Sequence, residues 1–321
     1  MKDSLPLYLL AFKKLKVDRA HGIAPHKPIL LISVLQAYHS KLITNNRIYI
    51  TPELVGLFKT NWTSLVTTNH NCSFALPFYH LTSDKFWKLI PKQGYENVMQ
   101  LSNAMRSFGQ LNMAVDFALI NDDLVQLMKD EKHNRILLQF LLDEYFPDSK
   151  TNFNATASNQ IKLFEDLDNK ILHEDAEEYR NEIKQLMNEN KEEEIYLRSA
   201  AFKREVPKIY NYTCCISGMS IDAIANVSMI DACHIIPFSE RYNDIITNGI
   251  SLCPNLHRAF DRGLITIDTH YNVKVSNIFS ESKSIYGLKQ FEGKKISLPL
   301  VEKYYPSMEN FVWNGENIYK G

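Results

Sequence analysis

The C-terminal fold is decided by residues 231–263, whose sequence is DACHIIPFSERYNDIITNGISLCPNLHRAFDRG. Short apolar runs at 229–234 and 249–253 predict two strands, and the residues between them at 238–247 predict a polar loop. Pro254 favours the first turn of a helix that the last glycine of the stretch ends. The stretch therefore predicts a β-hairpin followed by a helix.

Three side chains in this stretch have the chemistry for phosphodiester hydrolysis. That reaction needs a base that activates water and a cation that stabilises the charge on phosphorus. The neutral imidazole of His234 suits the base, and His257 in the first turn of the helix can hold the metal. Asn248 cannot titrate, so its amide is expected to fix the loop and orient the base. We therefore predict His234, Asn248 and His257 as catalytic residues.

Carboxylates lie near both histidines in the sequence. Asp231 is predicted to share the metal with His257, and Asp261 lies four residues beyond His257 on the same helical face. Asp261 and Arg258 are expected to support the site from outside the ligand set of the metal. A lone histidine is usually an ordinary polar residue, but a His–Asn–His set in a hairpin and helix predicts convergence around a single cation.

The segment 198–268 resembles the HNH, or ββα-metal, nuclease family. The resemblance rests on a leading helix with Arg and aromatic residues, a Cys-x-x-Ser-Gly turn at 214–218 and the acidic-Ala-x-His-Ile-Ile-Pro stretch. It implies that His234 is the general base, Asn248 the middle asparagine and His257 the metal-binding histidine. It also implies one divalent ion, Mg²⁺ or Mn²⁺, with Co²⁺ and Ni²⁺ as further choices.

Two positions depart from the family pattern. Many relatives carry Asp directly before the first histidine, where this chain has Cys233, so Asp231 is expected to take over part of that role. Relatives with a structural zinc carry a Cys-x-x-Cys pair next to the last histidine. Here Cys253 matches the first cysteine, but Leu256 stands in place of the second. We therefore expect no structural zinc.

The composition is that of a globular protein long enough for two domains. The 321 residues are 45% hydrophobic, and no apolar run approaches the roughly 18 to 20 residues that a membrane span needs. The N-terminus does not have the pattern of a secretory signal. Five scattered cysteines indicate a reducing compartment rather than a disulfide framework. We therefore expect a cytoplasmic location and no membrane partner.

The formal net charge of −1 conceals a polarity along the chain. Residues 1–27 are basic, whereas residues 165–194 are strongly acidic. Because binding to nucleic acid depends on the local distribution of charge, the total neither proves nor excludes a DNA partner.

The sequence predicts an α+β chain in three regions. Residues 1–150 form a mainly helical DNA-reading domain with short strands, residues 151–196 are a linker with connecting helices, and residues 197–321 form the ββα-metal nuclease domain. The stretch 149–158 in particular is small, polar and without pattern, which is typical of a linker.

Within the first region, Pro28–Tyr38 predicts a buried helix and Arg47–Ile50 a short strand. Thr51 is expected to cap a further helix. Phe74–Leu81 contains Pro77, so we predict a strand and turn there rather than one helix. The segment Asp122–Tyr145 predicts a helix pair that Pro147 ends.

Three stretches of the first region together resemble the sulfur-binding domain of phosphorothioate-dependent restriction endonucleases. They are Gly-Ile-Ala-Pro-His-Lys-Pro-Ile-Leu-Leu at 22–31, Leu-Pro-Phe-Tyr-His-Leu at 76–81 with Phe-Trp at 86–87, and Leu-Leu-Asp-Glu-Tyr-Phe-Pro at 141–147. The order of this domain before an HNH domain strengthens the resemblance.

The resemblance implies a pocket for a phosphate in which sulfur replaces a non-bridging oxygen. The aromatic–proline pair of the family matches Phe146 and Pro147, with Tyr145 adjacent, although Tyr145 and Phe146 could equally be core residues. The candidates for holding the modified phosphate are Arg19, His26, Lys27 and His80. Lys150 stands where the family has a small residue.

The function predicted from these features is a modification-dependent restriction endonuclease, an endodeoxyribonuclease that binds phosphorothioated double-stranded DNA and hydrolyses it with an HNH metal site. One alternative is an HNH defence nuclease that recognises another DNA modification or unmodified DNA. Another is a catalytically silent DNA-binding protein. The sequence also allows a homodimer whose two chains cut the two DNA strands.

Overall fold

The structure is a computed structural model that describes residues 4–18, 23–97, 107–221 and 228–321. The chain divides into two compact units between Phe164 and Glu165. Helices dominate both units and short antiparallel strands form small sheets, so the predicted α+β class is confirmed. Among the described residues, no helix combines the length and the apolar character that a bilayer crossing requires.

A buried central helix organises the N-terminal unit. This helix, α2 (His26–His39), is buried from Lys27 to Tyr38 with the exception of Gln36, which explains why its sequence has no polar face. The other helices of the unit are α1 (Leu5–Lys13), α3 (Pro52–Leu65), α4 (Ala75–His80), α5 (Phe108–Ala114), α6 (Asp122–Lys129) and α7 (Glu131–Tyr145). Helix α2 packs against α3, α4, α6 and α7. The predicted helix at Pro28–Tyr38 and the predicted pair at Asp122–Tyr145 are confirmed.

A three-stranded antiparallel sheet completes this unit. Its strands are β1 (Arg47–Tyr49), β2 (Trp87–Pro91) and β3 (Val115–Ile120), in the order β1-β3-β2. After β1 the chain enters α3, where the Thr51 side chain accepts a hydrogen bond of 3.3 Å from the Leu54 amide. The predicted strand at Arg47 and the predicted cap at Thr51 are confirmed.

Two predictions for this unit were wrong. The segment Phe74–Leu81 contains helix α4 rather than a strand and turn, because Pro77 falls in the first turn, where a helix does not need the missing amide. The stretch 149–158 is not an unstructured linker, since a 3-10 helix at Lys150–Ala155 leads directly into a long helix. The Ser149 hydroxyl donates a 2.6 Å hydrogen bond to the Leu65 carbonyl and ties this stretch to the end of α3.

The division between the units falls inside α8 (Thr156–His173), so the acidic segment that follows belongs to the C-terminal unit. The further elements of that unit are α9 (Ala176–Asn188), α10 (Glu192–Ile209), β4 (Asp231–His234), α11 (Phe238–Arg241), β5 (Gly249–Leu252), α12 (Pro254–Asp261), β6 (Ile265–Ile267), β7 (Val273–Val275) and α13 (Met308–Asn317). Strands β6 and β7 form a second antiparallel pair. The helices predicted within residues 151–196 are present as α8 and α9.

The predicted hairpin and helix are confirmed as β4, β5 and α12. Strands β4 and β5 pair antiparallel, and Gly263 ends the helical region with a positive φ of 70°. The segment 238–247 is more ordered than the predicted loop, since it contains α11 and the start of a 3-10 helix at Ile246–Asn248. Apolar residues of β4, β5, α12, β6 and β7 share one core.

Candidate active site

The two faces of strand β4 carry different candidate residues. Side chains alternate along a strand, so Asp231 and Cys233 point to one face and His234 points to the other. His234 lies opposite Gly249 in the pairing of β4 with β5. A Cβ atom on Gly249 would meet Phe202 of α10 at 2.9 Å, so this second face of the hairpin lies against α10.

His234 is held between an aromatic ring and a buried carboxylate. Its ring stacks on Phe202 with a centroid separation of 4.0 Å and an interplanar angle of 7°. Its Nε2 lies 2.7 Å from Oδ1 of Asp244, which is fully buried. An ionised carboxylate can only accept, so a neutral His234 donates its Nε2 proton and keeps the lone pair on Nδ1.

Asn248 braces the loop that carries Asp244. Its buried amide accepts a 3.0 Å bond from the Ile236 amide and donates bonds of 2.9 Å to the carbonyls of Ile236 and Asn243. These bonds fix the residue next to Asp244 against the end of β4. Both amide protons and the oxygen of the fully buried Asn248 are therefore engaged in bracing this loop.

His257, in the first turn of α12, contacts carboxylates through both ring nitrogens. Its Nδ1 lies 3.3 Å from Oδ2 of Asp231, and its Nε2 lies 3.5 Å from Oδ2 of Asp261. The buried thiol of Cys233 donates to Oδ1 of Asp261 at 3.9 Å. Arg258 is exposed at the next helical position.

This second cluster offers a donor set that fits a divalent ion. Donor atoms of Cys233, His257 and Asp261 lie within 4.8 Å of one another. Asp231 adds a second carboxylate beside the same imidazole. A thiol, an imidazole nitrogen and a carboxylate are all donor types that can hold a transition-metal ion.

The two predicted catalytic histidines have different contact partners in the structure. The contacts of His234 are with Phe202 and Asp244, whereas those of His257 are with Asp231 and Asp261. Alternation along β4 explains the separation, because His234 and Asp231 occupy opposite faces. The predicted convergence of these residues around a single cation stays a prediction.

In the N-terminal unit, a cavity of about 430 Å³ collects three of the predicted DNA-binding residues. His26, Lys27 and His80 line it together with Lys16, His70, Leu76 and Pro77. The Nε2 of His26 donates a 2.9 Å hydrogen bond to the Asn71 carbonyl. Burial lowers the pKa of both His26 and His80, so neither ring is charged at neutral pH.

Lys27 is less available than the sequence suggests. Its ammonium lies 2.5 Å from Asp84 and 2.9 Å from the hydroxyl of Ser83. Burial lowers the pKa of Lys27, although Asp84 opposes this effect. The exposed Lys16 at the same cavity is the more accessible cation.

The predicted aromatic–proline pair does not line this cavity. Phe146 is buried, and the Tyr145 hydroxyl donates a 2.6 Å hydrogen bond to the Phe12 carbonyl. These contacts match the core interpretation of Tyr145 and Phe146. Pro147 follows α7 outside the cavity lining. Arg19 lies outside the described residues.

Sequence reasoning missed Asp244, Lys16 and His70. Asp244 lies in a polar loop with no periodicity, and its only signal is its position four residues before Asn248. Lys16 and His70 are separated by over fifty residues in the chain, so only the fold brings them to one cavity.

One comparison with known proteins concerns the C-terminal unit. Residues 214–268 match the family model described as HNH endonuclease. Among solved structures, the modification-dependent restriction endonuclease TagI is similar at 18% identity and a TM-score of 0.28, over 38% of this chain and 38% of that chain. That likeness is too weak to establish a common fold. A search of curated proteins gave no significant match. The family match and the hairpin–helix geometry identify residues 214–268 as an HNH endonuclease domain.

Proposed function

We propose that the chain is a modification-dependent restriction endonuclease that binds phosphorothioated DNA with its N-terminal unit and hydrolyses it with its HNH domain. One observation carries the nuclease part. His234 pairs with the buried Asp244 at the end of β4, directly after Cys233 of the Cys233–His257–Asp261 cluster. Phosphodiester hydrolysis requires a base and a cation at the same phosphate, and these two groups of residues would supply them.

His234 is proposed as the general base. Its Nδ1 lone pair takes a proton from the attacking water, while its Nε2–H stays bonded to Asp244. The Asp244 carboxylate stabilises the imidazolium that forms, because it is anionic and buried at 2.7 Å from the ring. Asn248 maintains this geometry through the Asn243 carbonyl.

His257 and Asp261 are proposed to hold a divalent ion, with Asp231 next to the other ring nitrogen. When bound, such an ion stabilises negative charge on the phosphate and on the leaving oxygen. His234 is the last residue of β4 and directly follows Cys233. We propose that the phosphate lies across this end of the strand, between His234 on one face and the ion-binding residues on the other.

The cavity beside the N-terminus of α2 is proposed to accept the modified phosphate. Leu76 and Pro77 supply an apolar wall, and Lys16 supplies a cation. Sulfur is larger, more polarisable and a poorer acceptor than oxygen, so an apolar wall penalises its desolvation less. We expect a preference of about 1–3 kcal/mol, comparable to that for one methylene in a pocket.

The nuclease assignment is tested by replacing the base. We expect His234→Ala to lower the cleavage rate by on the order of 10²–10⁴-fold, because a general base contributes that much, while DNA affinity stays unchanged. The matched control is His270→Ala, which removes an exposed histidine of the same unit. Normal cleavage by His234→Ala would remove the base assignment.

The specificity is tested with two duplexes of the same sequence, one of which carries a single phosphorothioate linkage. Binding and cleavage of both are measured with and without Mn²⁺. Tighter binding and faster cleavage of the modified duplex are expected. Equal affinity would discard sulfur recognition and leave a nuclease of other specificity. Binding without cleavage under any metal would favour the silent DNA-binding protein.

A further inference from the structure

We propose that Cys233 is a ligand of the ion, so that the HNH domain of this chain holds a thiophilic transition metal such as Zn²⁺ or Co²⁺ in preference to Mg²⁺. This inference rests on the proposed nuclease function only for the existence of the ion. Its basis is the donor set, in which one sulfur, one ring nitrogen and one carboxylate oxygen lie within 4.8 Å of one another.

The three donors come from two elements and leave one side open. Cys233 at the end of β4 is fully buried, whereas His257 and Asp261 on α12 have side chains 26% and 57% exposed. An ion between them would have sulfur on its inner side and solvent on its outer side. Three protein ligands with one open position are typical of catalytic rather than structural sites.

The sulfur decides the choice of metal. Carboxylates and water suit Mg²⁺, whereas thiolate and imidazole favour Zn²⁺ and Co²⁺. A carboxylate at position 233 would complete an oxygen-rich site, and Cys233 replaces that hard donor with a soft one. Binding releases the thiol proton to water, and the resulting thiolate forms the bond to the metal.

Asp231 then becomes a positioning residue rather than a ligand. Its carboxylate lies 3.3 Å from Nδ1 of His257, which holds the ring proton on that nitrogen. Nε2, which faces Asp261 at 3.5 Å, is left to bind the ion. A carboxylate that orients a metal-bound histidine in this way is common in metal sites.

The first experiment uses the unaltered full chain and needs no activity. Titration with Co²⁺ is expected to produce a sulfur-to-cobalt charge-transfer band in the near ultraviolet, which excess Mg²⁺ does not remove. X-ray absorption of the Zn²⁺ form is expected to show one sulfur at about 2.3 Å and nitrogen or oxygen at about 2.0–2.2 Å. No sulfur, or two sulfurs, would overturn the proposal.

The second experiment uses variants. Cys233→Ser is expected to lose the charge-transfer band and to weaken Co²⁺ binding by more than the roughly 100-fold that loss of an outer partner costs. Cys233→Asp is expected to restore binding of Mn²⁺ and Mg²⁺. Cys215→Ser and Cys253→Ser each remove another buried thiol of the same core. Both should keep the band.

A band that persists in Cys233→Ser, or that disappears in Cys253→Ser, would overturn the proposal. If Cys233→Ser fails to fold by circular dichroism, the absorption spectrum of the unaltered chain decides alone. Asp231→Asn is expected to keep the band while Co²⁺ affinity falls by about 10–100-fold. Unchanged affinity would contradict its positioning role.

The two proposals fail in different ways. Cleavage with Mg²⁺ and no sulfur signal would overturn the cysteine ligand and leave the nuclease. Sulfur-bound cobalt in a chain that cuts no DNA would leave the ligand and remove the nuclease.

Discussion

At the residue scale, Asp244 combines full burial with a negative charge. Its Oδ1 accepts from His234, while its Oδ2 has no hydrogen-bond partner among the described residues. An uncompensated buried charge is costly, so this residue opposes folding unless the imidazole carries a positive charge. A group that stabilises the protonated base at some cost in stability is consistent with a role in proton transfer.

Asp244→Asn is expected to lower the cleavage activity without lowering the stability of the fold. Cleavage is expected to fall by about 10–100-fold, the range for groups that orient a functional histidine. The free energy of unfolding in urea is expected to stay equal or to rise, because a buried charge has been removed. Glu240→Gln, an exposed change in the same segment, is the control. A parallel loss of stability would indicate a structural role only.

The sequence is informative about residues whose chemistry is local. His234, Asn248 and His257 stand out because their spacing belongs to one motif. The separation of His234 from the metal cluster depends on strand alternation, and the partner role of Asp244 depends on how the loop folds. The alternation follows from the predicted strand at 229–234, whereas the pairing of Asp244 with His234 does not follow from spacing and is seen only in the structure.

At the element scale, the end of α12 depends on Gly263. Its φ of 70° is in the left-handed region, and a Cβ atom there would lie 2.1 Å from the Ile318 carbonyl oxygen. Gly293 has a φ of 71° but nothing within 4 Å of its Cβ position. The two glycines therefore share the backbone strain and differ in the steric clash.

Gly293→Ala is expected to cost about 1–2 kcal/mol of stability, the penalty for a left-handed L-residue. Gly263→Ala should cost a further 1–3 kcal/mol or so, because the backbone of the last turn must move away from Ile318. Urea unfolding of both variants measures the difference. Equal losses of stability in the two variants would show that the segment at Ile318 moves aside at no cost in free energy.

Glu182 of α9 pairs with Lys170 of α8 and with Arg198 of α10, and these ion pairs predict a loss of stability in acid. Burial opposes ionisation of Glu182, but hydrogen bonds from Arg198 and Lys170 lower its pKa to about 2. Because the pKa of Glu182 is lower in the folded chain than the unfolded value near 4.5, its carboxylate stabilises the fold at pH values above 4.5. This contribution to stability is lost as the pH falls towards 2. Glu182→Gln should therefore unfold more easily at pH 7 and show a weaker dependence on pH over this range.

The control for this prediction is Glu178→Gln, which changes an exposed residue of the same helix. Glu174 gives a second check of opposite sign, because burial and the neighbouring Glu182 raise its pKa. Because the pKa of Glu174 is raised in the folded chain, ionisation of this carboxyl destabilises the fold as the pH rises through that pKa. Glu174→Gln should therefore stabilise the fold at pH 7. Thermal unfolding between pH 3 and 7 separates the three variants.

Element boundaries were predictable where a cap or a breaker acts locally. Thr51 before Pro52 marked the start of α3, and Gly263 marked the end of α12. The prediction of a strand and turn at Pro77 was wrong because the effect of a proline depends on its position within the helix, which the sequence of α4 does not reveal. The 3-10 helix after Ser149 depends on a hydrogen bond to Leu65, a residue distant in sequence.

At the scale of the whole molecule, the two units carry different chemistry. The C-terminal unit has the proposed base and a donor set for metal, and the N-terminal unit has a cavity with imidazoles and an accessible cation. A molecule built in this way should lose selectivity and cleavage through separate substitutions. His26 at the start of α2 provides the test, because it lines the cavity and lies outside the HNH domain.

His26 also predicts how DNA binding varies with pH. Burial lowers its pKa, so its Nδ1 has no proton at neutral pH to offer an anion. An anionic phosphorothioate in the cavity favours the protonated ring, so binding takes up a proton and affinity should rise as the pH falls below neutral. His26→Ala should weaken binding to the modified duplex and remove this rise, while Co²⁺ binding stays unchanged. His39→Ala, at the exposed end of the same helix, should behave like the unaltered chain. Binding measured by fluorescence anisotropy from pH 5.5 to 8 decides, and a pH dependence that survives in His26→Ala would place recognition of the DNA elsewhere.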